Sequence, residues 1–129
     1  MPRIATVALL VRDYDEALAF YRDVVGFEVV EDTDMGGGRR WVRVRPPGDG
    51  GGPDLLLAVP SDADQAARIG DQAGGRVWLF LETDDFARDH ARMTAAGVRF
   101  REEPRHEPYG TVAVWEDLHG TPWDLIEPS

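Results

Sequence analysis

The stretch Ala5–Phe27, ATVALLVRDYDEALAFYRDVVGF, decides how this chain is read. An alternating apolar segment passes through an acidic turn into a helical pattern that stops at a glycine. Val77–Phe100, VWLFLETDDFARDHARMTAAGVRF, repeats that order of features. At an offset of 72 residues, Val7, Leu9, Val11, Asp13 and Tyr14 fall on Leu79, Leu81, Thr83, Asp85 and Phe86. One deletion in the helix brings Gly26 onto Gly97. The closing strands correspond as well: LLLAVP (Leu55–Pro60) lies over WDLIEP (Trp123–Pro128). Two copies at this period are a doubled supersecondary unit, not a solenoid, whose repeats are shorter and more numerous.

Working outward, Arg3–Val11 reads as a strand with Val7, Leu9 and Val11 on one side and Thr6, Ala8 and Leu10 on the other. Asp13 or Asp15 caps a helix over Glu16–Val25, and Gly26 ends it. Phe27–Glu31, Arg40–Arg45 and Leu55–Val59 follow as strands, with Gly36–Gly38 a turn and Pro46–Pro53 a loop. Asp62–Ile69 reads as a short helix or turn. In the second copy, strands are expected over Val77–Thr83, Val98–Arg101, Thr111–Glu116 and Pro122–Ile126, with a helix over Asp85–Ala96. The fold class is therefore α+β: two tandem βαβββ modules, about 1–62 and 74–129, in one domain, forming a curved mixed sheet with a central cleft.

Composition narrows the function. A chain of 129 residues buries roughly two-thirds of its unfolded surface, enough for one core. A net charge of −10 argues against nucleic acid and against an anionic membrane surface. There is no apolar run of about 18 residues and no signal-peptide pattern, so a cytoplasmic protein is expected. The absence of cysteine excludes disulfides, thiolate metal sites and a cysteine nucleophile. No phosphate loop, dinucleotide fingerprint or nucleophile elbow is present.

Two segments carry a family resemblance: VALLVRDYDEALAFYRDVVGF near the start and EDLHGTPWDLIEP near the end. They resemble the opening strand, Asp turn and FY-containing helix, and the closing turn and last strand, of the vicinal oxygen chelate superfamily. That group includes glyoxalases, extradiol dioxygenases and bleomycin-binding proteins. The resemblance implies a cleft between the modules and, in metal-dependent members, four metal-ligand positions. Those positions fall here on Thr6, Leu56, Trp78 and Asp124. Leu and Trp cannot ligate, and one Asp with a Thr hydroxyl is a poor set for a transition metal. The expectation is a member without the family metal and without another cofactor. It binds a small organic ligand in an aromatic cleft and pairs as a homodimer. The alternative is an enzyme of the same superfamily, either metal-dependent or an acid–base lyase, isomerase or dioxygenase type.

Strand alternation selects the lining of that cleft. Thr6, Leu56, Trp78, Phe80 and Asp124 are expected to face it, with Trp41, Arg43 and Trp115 as further candidates and Tyr109 at its rim. Trp123 alternates with Asp124 and is expected in the core. Arg43, with Trp41 and Arg45 on the same strand face, suits an anionic or planar ligand. Glu82 and Asp124 are the candidate acid–base pair. His106, in the EEPRHEPYG segment, is read as lying in a loop over the cleft, whereas His90 is expected on an exposed helix and His119 in a turn.

Overall fold

In the computed structural model, β1 (Thr6–Leu10) buries Leu9 completely and leaves Thr6 and Ala8 exposed, as the alternation predicts. The structure describes residues 1–48 and 50–129, so Asp49, within the expected Pro46–Pro53 loop, lies outside the described residues. The chain divides into two compact units, Met1–Ile69 and Gly70–Ser129.

In the first unit, Asp13 caps α1 (Tyr14–Leu18) by accepting a hydrogen bond from the Glu16 backbone N–H at 2.8 Å. The helix widens to π geometry over Ala19–Val25, and Tyr14, Ala17, Leu18, Tyr21 and Val25 form its buried stripe. Gly26 stops it at φ 93°, in the left-handed region that glycine enters without strain. The Phe27 N–H then closes the end on the Tyr21 carbonyl at 2.7 Å. β2 (Glu28–Gly36), β3 (Arg39–Arg45) and β4 (Asp54–Ala58) complete a sheet of order β1-β4-β3-β2, in which β1 and β4 run parallel. The short helix α2 (Ala63–Ala66) ends the unit.

The second unit repeats this. Asp85 caps α3 (Phe86–Ala95) through the Arg88 N–H, Gly97 ends it at φ 93°, and the Val98 N–H closes on the Met93 carbonyl. β5 (Leu79–Glu82) pairs parallel with β9 (Pro122–Pro128), which pairs with β8 (Gly110–Glu116). The registers are equivalent as well. Val7–Leu55, Ala8–Leu56 and Leu9–Leu57 lie abreast in unit 1, as Leu79–Trp123, Phe80–Asp124 and Leu81–Leu125 do in unit 2. The internal alignment read from sequence thus holds residue by residue along the parallel strand pair of each unit.

Two expectations about strands are corrected. β2 runs five residues past Glu31, because its polar tail Asp32–Gly36 is held by backbone pairing to β3 and needs no apolar face. The segment read as a loop around His106 contains a strand, β7 (Arg105–Glu107), paired to β8. Together β6 (Arg99–Phe100) and β7 occupy on β8 the place that β2 occupies on β3. Pro104 and Pro108 flank β7 and hide it from a sequence reading.

Candidate functional site

The open face of the first sheet carries Thr6, Ala8, Leu56, Trp41 and Arg43. Ala8, Leu56, Arg43 and Glu31 stand abreast across four strands and therefore share one face. Trp41 is 42% exposed. Arg43 does not hold its guanidinium ready for an anionic ligand. Its Nε donates to Glu31 Oε1 at 3.1 Å and its Nη1 to the Asp54 carboxylate. These cross-strand ion pairs leave the local cluster one charge negative, two carboxylates to one guanidinium. Arg45, on the same strand face, meets Glu28 at 3.5 Å.

The open face of the second sheet is built on Asp124. Its register partners are Phe80 on β5 and Val114 on β8, so all three side chains share a face. Phe80 is 64% exposed, while Asp124 is only 8% exposed. Oδ1 of Asp124 is buried and accepts no hydrogen bond among the described residues. A buried acceptor without a donor is costly and uncommon in folded proteins. Burial pushes the carboxyl above the ordinary carboxylate range; the Arg105 guanidinium opposes this and the Glu102 carboxylate adds to it. With its folded pKa above the unfolded one, this group favours folding at low pH. That contribution is lost as pH rises through the folded pKa. Ionising Asp124 in this position therefore works against stability.

Glu82 lies two residues beyond Phe80 on β5 and shares its face, so the structure brings Glu82 and Asp124 onto one surface. Arg105 reaches this face from β7, where it pairs with Val112 of β8. Its guanidinium is engaged by Glu102 at 2.8 Å and Glu107 at 3.2 Å, and Tyr109 adds a hydrogen bond. Tyr109 is itself largely exposed. Sequence reading missed the Glu102–Arg105–Glu107 network, whose only signal is the alternation of Arg105 and Glu107 across His106. His106 is exposed on β7, with Nδ1 3.2 Å from Thr111 Oγ1. Trp78, just before β5, is half-buried, with its N–H donating to the Pro122 carbonyl at 2.8 Å. Its indole Nε1 is buried without a hydrogen-bond partner among the described residues.

Trp115 is a correction. It pairs abreast of Trp123, on the face opposite Asp124, is fully buried, and stacks on the Trp123 ring at 4.9 Å. It is core, as Trp123 is. The family's metal does not fit this donor set. The four positions provide a hydroxyl, an aliphatic chain, an indole and one carboxylate. Among the described residues no three His, Cys, Asp or Glu side chains converge.

Comparison with known proteins places the chain among relatives of one fold. The family model described as "Glyoxalase/Bleomycin resistance protein/Dioxygenase superfamily" matches residues 3–125. An uncharacterized protein of Shewanella frigidimarina (strain NCIMB 400) is 51% identical over 96% of this chain and 92% of its own. The crystal structure of UcmS2 superposes with a TM-score of 0.83 at 32% identity, covering 98% of both chains. That of TnmS3, an antibiotic binding protein from Streptomyces sp. CB03234, superposes with a TM-score of 0.79 at 29% identity, covering 100% of this chain and 98% of its own. Among the described residues no helix is long and apolar enough to cross a membrane.

Proposed function

We propose that this chain, which belongs to the glyoxalase/bleomycin resistance protein/dioxygenase superfamily, binds a small organic ligand in an aromatic cleft without the family metal. The observation that carries this reading is the pairing of Phe80 with Asp124. An exposed ring stands abreast of a buried carboxylate whose Oδ1 has no donor. A folded protein leaves such an acceptor unsatisfied at a cost, and a ligand donor removes that cost. Trp41, exposed on the first sheet, offers a second aromatic surface of the same kind. The likeness to an antibiotic binding protein supports an antibiotic-like small-molecule ligand.

In this reading the protein acts in the cytoplasm as a homodimer, and a second copy helps enclose the cleft. Binding needs no metal, since Leu56 and Trp78 replace donors at two of the four positions.

The test is a thermal-shift screen of planar aromatic antibiotics against protein dialysed with a chelator. At least one compound is expected to raise the melting temperature in proportion to its occupancy. Stabilisation that arises only after a divalent metal is restored would overturn the metal-free reading.

A further inference from the structure

We propose that the open face of the second unit holds a subsite for the protonated amine of an aromatic ligand. The Asp124 carboxylate accepts from the ammonium, Glu82 is the second carboxylate of the site, and the Phe80 ring is the surface on which the aromatic part lies. This rests on the ligand-binding reading above and names the chemistry of its ligand.

Three observations lead here. The first is the buried Asp124 oxygen without a donor, on the same face as a ring left 64% exposed. The second is the charge around it. The charges acting at Asp124 are the Arg105 guanidinium and the Glu102 carboxylate, and Glu107 takes a further share of that one guanidinium. Arg105 directs its N–H groups to Glu102 and Glu107, so it balances part of the charge without satisfying Asp124. The third is that Glu82 is exposed and, among the described residues, its carboxylate makes no hydrogen bond or ion pair.

A neutral hydroxyl would satisfy the acceptor but not the charge. An ammonium does both, and its charge-assisted bond is roughly twice as strong as a neutral one. It also gains from the negative quadrupole of the Phe80 face. The net charge of −10 concentrates cations near the protein before they bind.

The test uses three indoles of nearly equal shape: tryptamine, tryptophol and indolepropionate. Binding is followed by ligand-observed NMR at neutral pH and low salt. Tryptamine is expected to bind about tenfold more tightly than tryptophol, and indolepropionate most weakly. Asp124→Asn should bring tryptamine down to the level of tryptophol. It is expected to fold, because it removes a charge that burial already disfavours. Phe80→Ala should weaken all three probes together. Equal binding of the three indoles overturns the ammonium subsite and leaves the aromatic-ligand reading standing. A tryptamine preference that survives Asp124→Asn overturns the assignment to Asp124. Failure of all three to bind overturns the subsite and counts against the reading beneath it.

Discussion

Trp115→Ala is expected to destabilise the protein by about 3–5 kcal/mol, the range for emptying a fully buried large side chain. Trp115 has no exposed surface and rests on Trp123 at 4.9 Å with the rings 21° from parallel. Its removal leaves a cavity in the core of the second unit and strips the stacking surface from Trp123. Phe80→Ala, on the opposite face of the same sheet, is expected to change stability by no more than about 0.5 kcal/mol. Urea denaturation midpoints of the two variants measure the contrast. Equal costs would mean that the two faces of this sheet have been exchanged, and the assignment of Asp124 to an open face would go with them.

Gly70→Ala is the second large effect. Gly70 sits at φ 80°, and a Cβ built there comes within 2.2 Å of the His119 carbonyl oxygen. That atom belongs to the backbone of the turn between β8 and β9, so it cannot swing aside like the end of a flexible side chain. The substitution therefore combines a left-handed backbone with a direct collision. A loss of more than about 2 kcal/mol is expected. Gly38→Ala is the control. Its φ is nearly the same, 82°, but nothing lies within 4 Å of its Cβ. It should cost only the backbone term, about 1–2 kcal/mol. Thermal melts of both variants separate collision from conformation; identical losses would show that the Gly70 contact contributes nothing.

What the sequence makes legible here is whatever strand and helix periodicity control. Leu9 and Val11 are buried and Thr6 and Ala8 exposed because an unbroken apolar alternation admits one register. Asp13 and Asp85 cap helices, and Gly26 and Gly97 end them, because local backbone chemistry decides those positions. What depends on pairing between distant strands was not legible. The face of Trp115 follows from its register with Trp123, which a single strand does not reveal. The engagement of Arg43 follows from Glu31 and Asp54 arriving on either side of it. β7 is three residues long and lies between prolines, so its Arg105 and Glu107 emerge only once β8 is beside them. The candidate site divides in the same way. Asp124 and Phe80 were readable from alternation, whereas the Glu102–Arg105–Glu107 network around Asp124 was not.

The most direct measurement of the central claim is amide and indole chemical-shift mapping on isotopically labelled, chelator-treated protein. The titrant is the compound that stabilises the protein most in the thermal screen. The amides of Phe80, Glu82 and Asp124, on the open face of the second unit, are expected to shift with ligand. The amides of α1 and α3, behind the sheets, should stay in place. Shifts confined to those helices, or shifts seen only after a divalent metal is added, would contradict it.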